Sequence, residues 1–233
     1  GHKCPQPNQR RVYVSYLDSV HYFRPRQYRT IVYQEIIVSY LEYVKNRGFH
    51  TAHIWACPPL KGDDYILYCH PQDQKTPKDD RLRQWYVDVL KTCKERDIAV
   101  ELSDLYTAFL ADPNNDGTVL PYFEGDYWVT EAEVIIKELS KTAAGKQKLS
   151  DGNIEPEEAT PKKNKSKRTR SSKGDLVIPG SRNRDIVMAK LATIIQPMKE
   201  AFFVAKLHPQ EYADKYATAQ VEELEGESKD CDD

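Results

Sequence analysis

The residues best suited to chemistry are concentrated in one stretch, from His53 to Tyr86. Its sequence, HIWACPPLKGDDYILYCHPQDQKTPKDDRLRQWY, contains two tryptophans, a Cys-Pro-Pro turn, a Cys-His-Pro turn and a Trp-Tyr pair. Tyrosine can donate a proton at neutral pH, because its hydroxyl has a reference pKa of about 10. A plain structural segment seldom combines so many of these residue types, so the composition predicts a binding or reaction site.

The cysteines and histidine of this stretch do not form a recognisable metal motif. Cys57, Cys69 and His70 lack the paired spacing of a zinc module, and the loop Asp112–Gly117 lacks the closing glutamate of a calcium loop. We therefore expect no metal within this chain. The five cysteines are an odd number without CxxC spacing, which favours a reducing intracellular compartment.

Two predicted strands and a helix position the stretch. They are Thr51–Ala56, Tyr65–Cys69 and a helix that begins near Asp80, with a polar loop before the helix. Trp55 then lies at a strand end, and Trp85 and Tyr86 lie in the first turns of the helix. Residue type alone would favour core packing for Trp55 and Tyr86.

The remaining periodicity predicts further strands and helices. Strands are predicted at Arg11–Leu17, Ile98–Leu102 and Ala201–Leu207. A helix from Arg29 to Gly48 has apolar or aromatic residues at Val32, Ile36, Tyr40, Leu41 and Val44. Three shorter helices are predicted at 103–109, 130–140 and 185–195. Thr30, Ser103 and Thr130 are the predicted N-caps, and Gly48 is the predicted stop of the first long helix.

Two predicted helices begin with an arginine, Arg29 and Arg81. A helix N-terminus offers free N–H groups and the positive end of the helix dipole, and arginine adds a fork that matches phosphate. These positions could bind a phosphate-rich ligand. The pattern by itself still favours two ordinary exposed arginines.

Longer motifs resolve these alternatives. Four motifs closely resemble the catalytic core of the CREB-binding-protein family of lysine (histone) acetyltransferases. They are CPQPNQRRVYVSYLDSVHYFRP, HIWACPP, RQWY and LPYFEGDYW. The resemblance runs from Cys4 to Trp128 and returns more weakly at AFFVAKL. It implies an α/β fold of the acetyltransferase type, in which a central mixed sheet is flanked by helices and accompanied by a long disordered basic loop.

The resemblance also implies site residues. Acetyl-CoA would be the co-substrate, and its acetyl group would pass directly to lysine without an acetylated enzyme. Tyr86 would protonate the departing thiolate, and Trp55 would shape the tunnel and orient the lysine. The residues that match acetyl-CoA contacts of the family are Leu17, Asp18, Ser19, Arg29, Thr30, Gln74, Thr76, Arg81 and Trp85. The family commonly has an aliphatic residue where this chain has Thr76.

Two further residues match the substrate side of the family's site, Tyr16 and Glu124. Substrate lysines of histone tails lie among other cations, so an acidic surface near the tunnel would select them. An exposed turn carboxylate without this role is the alternative for Glu124.

Composition divides the chain into three segments. Residues 1–141 form the predicted acetyl-CoA-binding core, and residues 183–233 form the C-terminal part of the same domain. Residues 142–182 have almost no apolar periodicity, and acids are followed by the run PKKNKSKRTRSSK, so we predict a disordered regulatory loop. Its candidate self-acetylation sites are Lys162, Lys163, Lys165 and Lys167.

The resemblance predicts a nuclear transcriptional coactivator that acts on histone tails and other lysine-bearing nuclear proteins and works with transcription factors. A non-catalytic interaction module with the same fold is the alternative, and direct nucleic-acid binding through the basic run is not expected. The chain begins at Gly1 and has methionine only at 188 and 198. We therefore expect it to be a part of a longer protein, truncated at both ends. No apolar run approaches the ~20 residues that cross a bilayer, so no membrane partner is expected.

Overall fold

A computed structural model describes residues 6–19, 22–58, 79–150, 185–209 and 211–212. Its strands are β1 (Arg11–Val14), β2 (Thr51–Trp55), β3 (Glu101–Asp104) and β4 (Phe202–Lys206). Its long helices are α1 (Arg29–Asn46), α2 (Asp79–Glu95), α3 (Tyr127–Ser150) and α4 (Ile186–Ile195). Short 3₁₀ segments lie at Gln6–Asn8, Arg26–Tyr28, Gly117–Val119 and Gln196–Ala201, and a π-helix spans Tyr106–Leu110.

The four strands form one mixed sheet in the order β1-β2-β4-β3. β1 pairs with β2 in parallel, and β4 is antiparallel to both β2 and β3. β1, β2 and β3 therefore run in the same direction, and α1 and α2 run back between them. Both helices consequently start at the edge where β1 and β2 end, which we call the carboxyl edge.

Side-chain alternation gives the sheet two buried faces. On the α1/α2 face, Ala52, Ile54 and Ala205 pack against α1 and α2. On the opposite α3/α4 face, Phe202 and the partly buried Trp55 pack against the π-helix, α3 and α4. The mixed sheet flanked by helices confirms the predicted α/β fold class. In the described part of the chain, no helix is long and apolar enough to span a bilayer.

Several element boundaries differ from the predicted ones. β1 ends at Val14 rather than Leu17, and β3 begins at Glu101 rather than Ile98. Ile98 is nevertheless buried, because the turn after α2 places its side chain in the α1/α2 core. The predicted strand Tyr65–Cys69 lies outside the described residues.

α3 continues beyond its predicted end near Ser140 and reaches Ser150. α3 therefore overlaps the first residues, 142–150, of the segment predicted as a loop. The sequence TAAGKQKLS contains alanine, lysine, glutamine and leucine, which all favour helix without any apolar periodicity. The rest of the predicted loop, from 151 to 182, lies outside the described residues, as do its four candidate acetylation sites.

The three predicted N-caps are wrong. Thr30 is inside α1, because the 3₁₀ turn Arg26–Tyr28 already carries the chain into the helix. Ser103 belongs to β3, and Thr130 is inside α3. At the last two starts, nearby carboxylates accept backbone hydrogen bonds instead: the N–H of Thr107 donates to Asp104 over 2.8 Å, and the N–H of Tyr127 donates to Asp126 over 2.8 Å.

The ends of two helices agree with prediction. Gly48 follows α1 with φ of 82°, and the N–H of Phe49 donates to the Val44 carbonyl over 3.1 Å, which closes the helix. Asp185 caps α4 by accepting from the N–H groups of Val187 and Met188. Both ends depend on local chemistry that the sequence displays directly.

α1 buries only part of the apolar set that its spacing predicted, namely Leu41 and Val44. Ile37, Val38, Leu41 and Val44 are buried, whereas Val32, Ile36 and Tyr40 are exposed. α1 carries apolar residues on two stripes, and packing against α2 and the sheet buries only one of them. The periodicity of a single helix cannot decide between two apolar stripes.

This difference gives a stability prediction. Leu41→Ala should lower the free energy of unfolding by about 2–5 kcal/mol, because Leu41 is fully buried and its loss leaves a cavity. Ile36→Ala is the matched control and should cost less than about 1 kcal/mol, since Ile36 is 49% exposed. Urea unfolding of the two variants and the parent chain measures both values, and equal losses would contradict the observed packing.

Candidate active site

The loop after β1 is tied to the start of α1 at the carboxyl edge. The backbone N–H of Ser19 donates to Asp18 Oδ1 over 2.9 Å, and Arg29 Nη2 donates to Ser19 Oγ. Leu17 packs against the α1/α2 core. The structure therefore brings together four of the predicted acetyl-CoA residues, although they come from two separate elements.

The first turns of α1 and α2 lie at the same edge, and the two helices pack against each other. Arg29 and the exposed Thr30 are the first residues of α1, and the exposed Arg81 lies in the first turn of α2. The neighbouring Arg83 instead forms ion pairs with Asp80 and Glu200. These arginines and the positive dipole ends of both helices can interact with an anionic ligand.

Tyr86 lies further along α2, in the α1/α2 core. Its side chain is 7% exposed, and its ring meets Trp85 edge-on at 5.0 Å and Phe203 at 6.3 Å between ring centroids. Burial raises the pKa of Tyr86 to about 12, because the ionised phenolate is poorly solvated there. Tyr86 thus keeps its proton at neutral pH and can act as a proton donor.

Trp55 is the last residue of β2 and lies on the other face of the sheet. Its ring stacks on Phe202 at 6.0 Å and tilts against Tyr127 at 5.6 Å. Because Phe202 and Phe203 are consecutive on β4, Trp55 and Tyr86 approach the same strand end from opposite faces. The sequence correctly predicted the strand that carries Trp55 and the helix that carries Tyr86. It did not predict that the two side chains lie on opposite faces of the sheet.

The two predicted substrate residues are exposed. Tyr16 follows β1 and is 63% exposed, and Glu124 is exposed in the loop before α3. The adjacent Phe123 stacks on Tyr13 of β1, with 5.0 Å between ring centroids. This stacking brings the Glu124 loop onto the α3/α4 face of β1.

A polar row on the α3/α4 face was not predicted. Arg11 and Tyr13 of β1 lie opposite Thr51 and His53 of β2 in the parallel register. Arg11 Nη1 donates to His53 Nε2 over 3.2 Å, and burial with the nearby Arg11 charge lowers the pKa of His53 to about 3. His53 is therefore neutral and accepts the arginine N–H.

Asp126 completes this row from the start of α3. It is 5% exposed, accepts a hydrogen bond from the Tyr127 N–H, and faces the Tyr13 hydroxyl and the Trp128 indole N–H, and burial raises the pKa of Asp126 to about 6. The sequence signal was available in part: an acid stands directly before an aromatic pair in GDYW. Its proximity to Tyr13 depends on tertiary structure and cannot be read from the sequence.

Two predicted acetyl-CoA residues, Gln74 and Thr76, lie outside the described residues. Within the described ranges, no group of three or more His, Cys, Asp or Glu residues could hold a metal ion. Cys57 is exposed and Cys93 is buried, and burial raises the pKa of the Cys93 thiol to about 11.

Comparison with known proteins identifies close relatives. Residues 1–220 match the histone acetyltransferase domain KAT3. The chain is 45% identical over 222 residues to Histone acetyltransferase HAC1 of Arabidopsis thaliana, a match that covers 90% of this chain and 13% of HAC1. It is 44% identical over 220 residues to Probable histone acetyltransferase HAC-like 1 of Oryza sativa subsp. japonica, covering 89% and 13% of the two chains. It is 50% identical over 144 residues to Protein cbp-1 of Caenorhabditis elegans, covering 62% and 7%.

Proposed function

Because the chain belongs to the KAT3 family of histone acetyltransferase domains, we propose that it transfers the acetyl group of acetyl-CoA to the ε-amino group of lysines in histones and transcription-related proteins. The observation that carries this proposal is the convergence at the carboxyl edge. The ends of β1 and β2 adjoin two helix starts that carry arginines, together with the Ser19 loop. Tyr86 and Trp55 lie near the same strand ends. Ligands of α/β sheets commonly bind at such an edge.

The phosphates of acetyl-CoA interact with Arg29, Arg81 and the first turns of α1 and α2 in this proposal. Thr30, Leu17, Asp18, Ser19 and Trp85 line the same site, and Gln74 and Thr76 are proposed to contact it on the basis of the family resemblance. Charge-assisted hydrogen bonds from arginine suit phosphate oxygens, and a helix N-terminus adds its unpaired N–H groups. This set of contacts would orient the thioester towards Tyr86.

The proposed reaction is a direct acyl transfer. The lone pair of a neutral lysine amine attacks the thioester carbonyl, so that a C–N bond forms and the C–S bond breaks. Tyr86 donates its proton to the departing thiolate, and the proton lost by the amine nitrogen passes to solvent, from which the Tyr86 phenolate takes up a proton again. Burial keeps the Tyr86 hydroxyl protonated across the pH range in which lysine can react, so its proton is available to the thiolate.

The substrate would enter from the side of Trp55. Trp55 would orient the aliphatic part of the lysine side chain, and Tyr16 and Glu124 would contact the flanking peptide. Glu124 is exposed and negatively charged, which suits the cationic neighbours of histone lysines. This substrate class implies a nuclear protein that acts as a transcriptional coactivator together with transcription factors.

Acetyl transfer from labelled acetyl-CoA to mixed histones tests the proposal. We expect label in the histones, at a rate that saturates with acetyl-CoA, and increments of acetyl mass on the chain's own lysines 162–167. Calorimetry with coenzyme A is the parallel measurement. Binding of coenzyme A without label in histone or chain would contradict the proposed activity and favour a non-catalytic module that retains the fold.

A further inference from the structure

A narrow pocket lies beside Trp55 on the α3/α4 face of the sheet. Its lining includes Tyr13, His53, Trp55, Leu105 and Asp126. The pocket has an empty volume of about 200 Å³ with its open mouth included, and its enclosed part has room for about one water-sized group. An ammonium group has that size, whereas a larger head group would not enter without movement of the walls.

Asp126 is the acid of this pocket. Within the described part of the chain, it accepts a hydrogen bond from the Tyr127 N–H and faces the Tyr13 hydroxyl and the Trp128 indole N–H, and no lysine or arginine pairs with it. An ionised carboxylate that is 5% exposed is costly without a cationic partner. A cation in the pocket would therefore stabilise the ionised Asp126 carboxylate.

The other walls suit the same ligand. Trp55, Leu105 and Phe202 are apolar and can cover a methylene chain, and a cation next to an aromatic face gains further attraction. Arg11, the cation of the same polar row, contacts His53 and the Phe109 ring. The arrangement thus combines an apolar entrance with one acidic end.

We propose that Asp126, held by Tyr13, binds the ε-ammonium of the incoming substrate lysine in the pocket beside Trp55. The choice of lysine as the ligand rests on the proposed function. Asp126 acts here as a specificity residue that binds the charged amine on entry. The amine then leaves Asp126 and gives one proton to solvent before it attacks the thioester as a neutral nucleophile. The proposal assigns a role to an acid that the sequence motifs left unassigned.

A comparison of two peptides tests this proposal without relying on turnover. One peptide carries a histone-tail sequence with a single lysine, and the other carries norleucine in its place. Binding is measured calorimetrically in the presence of coenzyme A, which has no acetyl group to transfer. A charge-assisted contact predicts that the parent chain binds the lysine peptide about tenfold more tightly.

In Asp126→Asn, this preference should fall to within about twofold, because the amide keeps the shape but lacks the charge. Glu133→Gln is the matched control: it removes one exposed carboxylate from α3 and should leave the preference unchanged. An unchanged preference in Asp126→Asn, or a parent chain that binds both peptides equally, would overturn the proposal. A parent chain that shows the preference but transfers no acetyl would overturn only the proposed function.

The unaltered chain provides a second test if Asp126→Asn does not fold. The pKa of Asp126 is about 6, so protonation between pH 8 and pH 5 should remove the charge and reduce the lysine preference. The groups that face it are Tyr13 on β1, His53 on β2, and Tyr127 and Trp128 on α3. The pKa of His53 is lowered to about 3, so this ring stays neutral across that range. A preference that is constant from pH 8 to pH 5 would overturn the proposal.

Discussion

Tyr86→Phe is expected to reduce the rate constant for acetyl transfer by about 10²–10⁴-fold, which is the usual contribution of a positioned general acid. The substitution removes only the hydroxyl, and the ring can keep its contacts with Trp85 and Phe203. Acetyl-CoA affinity should therefore change by less than about twofold. Single-turnover transfer and calorimetric binding measure the two quantities separately.

Tyr43→Phe is the matched control, because Tyr43 is a 53% exposed tyrosine on α1. It should transfer acetyl at the parental rate. The parent enzyme should also show no loss of rate from ionisation of Tyr86 at pH 8–10, since the pKa of Tyr86 is about 12. A Tyr86→Phe variant with the parental rate would show that the proton comes from another group.

Arg29→Gln is expected to raise the dissociation constant for acetyl-CoA by about 10–100-fold, the range for loss of one hydrogen bond to a charged group. Arg29 starts α1 and hydrogen-bonds Ser19, so the substitution removes a cation and also releases the loop after β1. Binding of coenzyme A at two salt concentrations measures the effect. The loss should be smaller at high salt, because exposed charges are screened.

The control is Arg96→Gln. Arg96 follows the opposite end of α2 and forms a two-pronged ion pair with Glu35, with N–O distances of 2.6 and 3.0 Å. It carries the same charge as Arg29 but lies away from the carboxyl edge. A similar weakening in both variants would mean that net charge, and not the position of Arg29, determines the affinity.

The sequence predicted elements well where one local signal was sufficient. Gly48 ended α1, and Asp185 began α4, because a positive φ and a capping carboxylate act within a few residues of the helix end. β4 was recognisable from the apolar run AFFVAKL. In contrast, the N-cap at Thr30 failed because a preceding 3₁₀ turn had already started the helix.

Features that depend on contacts between distant segments were not predictable in this way. Ile36 and Leu41 lie on two apolar stripes of α1, and only packing against α2 selects the stripe that is buried. Trp55 and Tyr86 were predicted on the correct elements. Their position on opposite faces of the sheet follows from strand alternation and helix packing. Asp126 meets Tyr13 only after the sheet and α3 have assembled.

β4 lies between β2 and β3 in the sheet although it comes last in the chain. During synthesis, residues 51–55 and 101–104 must therefore emerge long before residues 202–206 can pair with both of them. Until then, the two earlier strands have open edges, which are prone to pairing with other chains. Such distant strand pairing also slows folding. The sheet that carries the proposed site therefore cannot be completed until residues 202–206 have been synthesised.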